Sequence, residues 1–133
     1  MPGQETLNQE RARFAFNEVK GIKELYKEKK DKIEKYASNA KKLPALITTN
    51  GLIPTLAFLK SKEEIKPLYD TMNEWLKSKG FSKDDKDVLE YLLDCEYLLD
   101  CDFSTLRLAT MEAIAFANWL KRMVEIEIKI GEK

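Results

Sequence analysis

The side chains in this chain that could do acid, base, nucleophilic or metal chemistry are carboxylates, lysines, arginines, hydroxyls and two thiols, Cys95 and Cys101; histidine does not occur. Without histidine there is no imidazole base, no Ser-His-Asp or Cys-His arrangement and no His-containing metal site. Two cysteines alone do not make a structural zinc site, and the Asn50-Gly51 pair is not a glycine-rich phosphate cradle. The densest carboxylate segment runs from Asp84 to Asp102, with eight acids and one lysine. Asp94, Glu96, Asp100 and Asp102 are the residues there that could gather Mg²⁺, but an acidic solvated loop is the simpler reading. Enzyme is the weakest class for this sequence: it implies no catalytic residue, metal or cofactor.

The basic residues are more informative. At regular helical spacing Arg13, Lys20, Lys23, Lys27 and Lys30 fall within about a quarter to a third of one helix circumference. Lys41 and Lys42 follow, and Lys121 and Arg122 lie near the other end of the chain. Such side chains can neutralise phosphates without reading bases. Glu24 is spaced to pair with Lys20 or Lys27, so a solvated, salt-bridged helix is the competing reading. Tyr26 and Tyr36 fit an apolar stripe better than a stacking platform. Trp75 matches the core periodicity of its helix, whereas Trp119 either edges the core or anchors a partner.

Net charge is formally zero, but unevenly spread. Residues 1–62 hold 13 Lys and Arg against 7 Asp and Glu, a net of +6; residues 63–133 hold 10 against 16, a net of −6. If the fold keeps these halves apart, the protein has a basic and an acidic face suited to head-to-tail stacking.

Helices must position these groups. Leu, Lys, Glu and Ala dominate, Pro and Gly are few, and no strand pattern competes. A chain of 133 residues is expected to form one domain, with tails at 1–5 and 131–133. Thr6 and Gln9 make a capping box for a first helix that could run to about Asn39 or break in its lysine-rich middle. Gly21 lies inside it, where the usual reason is close approach by a neighbouring helix. Lys42–Lys62 is the least polar stretch. With Pro44 and Pro54 each suiting a helix first turn, it reads as two short buried helices meeting at an Asn50-Gly51 corner. Pro67 opens the next helix and Gly80 stops it; Ser82 and Asp85 suggest the following cap. The final helix begins near Asp102 or Ser104 and presents Leu106, Ala109, Ala113, Phe116, Ala117, Leu120 and Val124 inward. The fold class is all-α: a single-domain bundle of five to seven helices, with long first and last helices around a short buried pair. The thiols are expected to be reduced. The start lacks a secretory signal and no run reaches membrane-spanning length, which points to the cytoplasm.

Three segments, taken together, carry a family likeness: ERARFAFNEVK (Glu10–Lys20), KLPALITTNGLIPTLAFLKSK (Lys42–Lys62) and LRLATMEAIAFANWLKRMVE (Leu106–Glu125). In content, order and spacing the chain resembles the small α-helical subunit of type III-B CRISPR RNA-guided effector complexes, the Cmr-type machinery. The segment from 84 to 102 matches least. The resemblance implies a non-catalytic subunit present in several copies. These stack along the effector filament beside the backbone subunits, helping to form the channel where guide and target RNA pair. Target cleavage would belong to the backbone subunit, and DNase and cyclic-oligonucleotide chemistry to the large subunit. It raises Arg13, Lys20, Lys23, Lys27, Lys41, Lys42, Lys121 and Arg122 as RNA-backbone contacts, and Trp119 and Met123 as contacts between stacked subunits. The competing reading is a helical adaptor that touches only proteins.

Overall fold

Six α-helices and one 3-10 turn appear in the computed structural model, which describes residues 5–82, 86–98 and 103–128. The helices are α1 (Leu7–Leu25), α2 (Lys30–Asn50), α3 (Leu52–Ser61), α4 (Lys66–Ser78), α5 (Val88–Leu98) and α6 (Phe103–Glu127), with the 3-10 turn at Glu63–Ile65. The all-α class and the long first and last helices agree with the sequence reading.

Local signals act where expected. The Thr6 amide donates to Gln9 Oε1 at 2.9 Å, and the Gln9 amide donates to Thr6 Oγ1 at 3.1 Å, closing the capping box of α1. Pro67 lies in the first turn of α4, where its missing N–H costs nothing. Gly80 ends α4 with φ +92. Its amide donates to Lys77 O at 3.0 Å and that of Phe81 to Leu76 O at 3.0 Å, the paired bonds of a Schellman stop. Gly51, at φ +92, turns the chain between α2 and α3, and the Thr55 hydroxyl ties that corner by donating to Gly51 O at 2.8 Å and Leu46 O at 3.1 Å.

Three boundaries bear on the sequence reading. Of the two courses open to the first helix, the break in its lysine-rich middle is the one taken: it stops at Leu25 and does not reach Asn39. Run straight from 6 to 39 it would measure about 50 Å, while a domain of this size has a radius of gyration of about 14 Å. Folding back lets one chain cover its own apolar stripe, and the Lys29 amide closes that turn on Tyr26 O at 2.7 Å. Second, Pro44 does not begin a helix: the first of the two buried segments is the end of α2, with Pro44 inside it. An interior proline costs about 3 kcal/mol, offset here by burial of Tyr36, Ala37, Ala40, Leu43 and Ile47 along the same helix. Third, α5 starts at Val88, not beside Ser82. Asp87 caps it, with Oδ1 accepting from the Glu90 amide at 3.0 Å, while Asn73 Oδ1 accepts from the Val88 amide at 2.7 Å. Asp85, Asp100, Cys101, Asp102 and Ile130 lie outside the described residues, as do the side chains of Cys95 and Glu96 and the tails except Glu5.

The core is built on α6, against which α1 and α2 pack most extensively. The predicted row Ala109, Ala113 and Ala117 is fully buried with Phe116, Leu120 and Val124, and small side chains there let neighbouring helices approach closely. Phe14, Trp75 and Phe116 interlock across α1, α4 and α6, with Trp75 and Phe116 stacked at 5.0 Å.

Gly21 has no close neighbour. It is exposed, and a Cβ added there meets nothing within 4 Å. Gly21→Ala is therefore expected to stabilise the protein by about 0.5–1 kcal/mol. Urea unfolding would show a raised midpoint at unchanged slope; a lowered midpoint would mean the site is tighter than it looks.

Candidate nucleic-acid and subunit interface

The two oppositely charged halves of the chain are interleaved by the fold. Arg11 grips Glu112 in a two-pronged pair at 2.7 Å, Lys23 meets Glu127 at 3.2 Å and Lys35 meets Glu64 at 3.4 Å. Lys60 meets Asp87 at 2.6 Å, and Lys79 meets Glu10 at 3.0 Å. Each of these pairs joins a residue of the first 62 to one of the remainder, and in four of them a first-half cation meets a second-half carboxylate, so part of the charge asymmetry is neutralised within the molecule. The condition for separate basic and acidic faces is not met in that simple form.

The predicted phosphate-contacting residues divide into two groups. Arg13 holds Glu5 at 2.6 Å, Lys23 holds Glu127, Lys27 holds Glu24 at 3.4 Å and Arg122 reaches Glu125 at 3.9 Å. The Arg13 guanidinium, by hydrogen bond and charge, keeps the Glu5 carboxyl below its ordinary pKa. Exposed pairs like these are weak and exchange readily for a phosphate. Lys20, Lys41, Lys42 and Lys121 have no carboxylate partner among the described residues; Lys20 lies over the Phe16 ring, 5.1 Å from its centroid. Because α1 ends at Leu25, Lys27 and Lys30 do not continue the α1 stripe that regular spacing implied. Lys30 instead shares one side of α2 with Lys41, 11 residues on, at helical spacing. On α6, Arg107 and Lys121 likewise share a side, roughly opposite the α1-facing Glu112. Lys30 and Arg107 are also without a carboxylate partner among the described residues. Arg107 escaped the sequence reading because it stands alone, with no neighbouring basic residue to mark it.

Neither tyrosine offers a free stacking face. Tyr36 is buried and its hydroxyl lies 2.8 Å from that of Thr71. Thr71 in turn donates to Glu18 Oε1 at 3.0 Å. Burial raises the Glu18 carboxyl above its ordinary value against that hydrogen bond, with Glu74 and Asp70 adding repulsion. Tyr26 is half-buried with Lys32 Nζ 5.5 Å from its ring centroid. Trp75 is core, as expected. Trp119 edges the core, donating through Nε1 to Asn8 Oδ1 at 3.0 Å, and Met123 is half-buried one turn further along α6. Beside them α6 leaves Leu108, Met111 and Ile126 exposed.

Among the described residues no group of three or more His, Cys, Asp and Glu is placed to hold a metal ion. Asp94, one of the four Mg²⁺ candidates, pairs with Lys86. The groove of about 500 Å³ between α2 and the 3-10 turn is lined by Asp31, Glu34, Lys35, Lys62, Glu64 and Phe58 among others, without a nucleophile–base pair. No helix among the described residues is long and apolar enough to cross a membrane.

Comparison with known proteins agrees with this picture. The family model for the CRISPR-associated protein Cas_Cmr5 matches residues 7–127. The CRISPR system Cmr subunit Cmr5 of Thermotoga maritima is 31% identical over 121 residues, 91% of this chain and 84% of that protein. The crystal structure of a CRISPR-associated Cmr5 family protein from Thermus thermophilus superposes with a TM-score of 0.70 at 27% identity, covering 95% of this chain and 100% of that one.

The ion pair at Glu112 makes a stability prediction. Burial pushes this carboxyl upward, but hydrogen bonds from Arg11 and from Trp75 Nε1 (2.9 Å) outweigh it and hold the group below its ordinary pKa. A carboxyl lowered in the folded state contributes stability above its unfolded pKa and loses it as pH falls through the folded value. Glu112→Gln is therefore expected to cost about 1–3 kcal/mol at pH 7. Measured by urea unfolding, the gap from the parent should shrink steadily below about pH 4.5. A gap independent of pH would assign the loss to packing alone.

Proposed function

The chain belongs to the Cas_Cmr5 family of CRISPR-associated proteins and is not an enzyme, and on that premise we propose that it is the small subunit of a type III-B effector complex. In this reading several copies stack along the effector filament beside the backbone and large subunits. Their basic side chains hold the guide–target RNA by its phosphates, while base pairing supplies the sequence specificity. The observation that carries the RNA contact is that four of the predicted residues, Lys20, Lys41, Lys42 and Lys121, like Lys30 and several other lysines, have no carboxylate to satisfy them among the described residues. We place the centre of that contact along the seam between α2 and α6. Lys30 and Lys41 border it from one helix, and Arg107 and Lys121 from the other. The half-buried state of Lys41 and Lys121 suits residues at the edge of a helix–helix contact. Buried Tyr36 and covered Tyr26 suit a surface that ignores base identity.

Trp119 and Met123 are the proposed contact to the next copy, their half-exposed surface continuous with exposed Ile126. Such a head-to-tail contact need not close into a ring. A second reading, a protein-only adaptor, draws on the ion pairs of Arg13, Lys23, Lys27 and Arg122.

Neutralising Lys20, Lys41, Lys42 and Lys121 together separates the two. In the assembled complex the quadruple alanine variant is expected to bind target RNA at least about tenfold more weakly at low salt. The logarithmic salt slope should become shallower by about 0.7–0.9 for each phosphate that is no longer neutralised. Arg13→Ala alone should do less. Unchanged affinity and slope in a complex of normal composition would leave the adaptor reading.

A further inference from the structure

The turn joining α1 to α2 contains none of the residues that usually break a helix. Residues 25–30 read Leu-Tyr-Lys-Glu-Lys-Lys, without glycine, proline, asparagine or aspartate, and the positive-φ glycines are elsewhere, at Gly51 and Gly80. No side chain caps the start of α2, and Leu25 is 70% exposed at the end of α1. Had the chain continued as one helix from Leu7 to Asn50, Ala15, Val19, Ile22, Tyr36, Ala37 and Leu43 would fall within about a third of its circumference. The core faces of α1 and α2 are thus in register for a single straight helix, although in the folded chain they are seated on α6 as two. The break is imposed by packing, not encoded at the turn.

We propose that Tyr26–Lys29 is a hinge and that, in a second arrangement, α1 and α2 run on as one helix, carrying α1 onto the α6 of a second copy of this chain. Each copy would then receive its partner's α1. The Arg11–Glu112 pair, the Lys23–Glu127 pair and the Phe14–Phe116 contact are all remade between chains, and only the turn changes conformation. Exchange of this kind adds no new core surface, so concentration and the preference of four hinge residues set the balance. Because separation requires α1 to leave its seat, the dimer persists on dilution longer than a surface contact would.

A charge-swapped pair of full-length chains tests the exchange. Arg11→Glu places Glu against Glu112, and Glu112→Arg places Arg against Arg11, so each chain alone carries a like-charge contact. In an exchanged dimer of one of each, one α1–α6 seat pairs Arg11 with Glu112 and the other pairs the two substituted residues, so both contacts become complementary. Co-refolding the two from denaturant should yield a mixed dimer, seen by native mass spectrometry, in at least tenfold excess over either homodimer. Where both chains regain the parent's helix content, mixed dimers no more abundant than homodimers would overturn the proposal. Glu112→Arg also deprives Trp75 Nε1 of its acceptor and could prevent folding. A second comparison leaves the core intact: Lys27→Ala with Glu28→Ala against Lys27→Gly with Glu28→Gly. Alanine favours the straight helix and glycine opposes it, so sedimentation at matched high concentration should show a several-fold larger dimer fraction for the alanine chain. Equal fractions would overturn the proposal, whatever the charge-swapped chains do.

Discussion

One carboxylate fixes the relative positions of three helices. Glu112, on α6, takes two hydrogen bonds from Arg11 on α1 and one from the Trp75 indole on α4, directly beside the Phe14–Trp75–Phe116 cluster. The indole could not be buried without an acceptor, and the carboxylate could not sit there without its cation. Lys79 lies over the same indole, 4.9 Å from the Trp75 ring centroid, and pairs with Glu10. Aromatic packing supplies most of the attraction in such a cluster. The polar contacts supply direction, since they are satisfied only when all three helices are at one depth and rotation.

That arrangement also commits much of the protein's polar chemistry to structure. Its best-connected polar groups are consumed in holding helices together: Glu112 by Arg11 and Trp75, Asp87 by Lys60, Tyr69 and the α5 cap, Thr71 by Tyr36 and Glu18. Burial pulls the Asp87 carboxyl upward, yet its donors more than cancel this and leave it below the ordinary value. A group so fully committed has no capacity left to move protons for a substrate. Among the groups left for outside contact are lysines without a carboxylate partner, exposed carboxylates such as Glu28 and Asp70, and the apolar area of Leu108, Met111 and Ile126 on α6.

The elements legible in the sequence are those decided within a few residues. Thr6 with Gln9, Pro67 and Gly80 each act through bonds to near neighbours, so their spacing was enough. The inward face of α6 was legible too, because six of the seven named residues are fully buried and Leu106 is partly so. The break after Leu25 was legible only as one of two courses, and the passage of α2 through Pro44 was not, since both depend on how much core lies within reach of each segment. Among the basic residues the same division holds. Glu24 with Lys27 is a local pair and was readable, whereas Lys23 with Glu127 joins opposite ends of the chain and leaves no local trace.

The corner at Asn50-Gly51 has a chemical side as well as a geometric one. Asparagine followed by glycine is the sequence most prone to spontaneous deamidation, in which the glycine amide nitrogen attacks the asparagine side chain. Here that nitrogen is occupied, its hydrogen donated to Ile47 O at 2.8 Å, and Asn50 is held in the last turn of α2. Attack must wait until that turn opens. The age of a protein sample, read as the deamidated fraction at this one peptide, therefore records how often the end of α2 frays, and the hydrogen bond that shapes the corner also sets its shelf life.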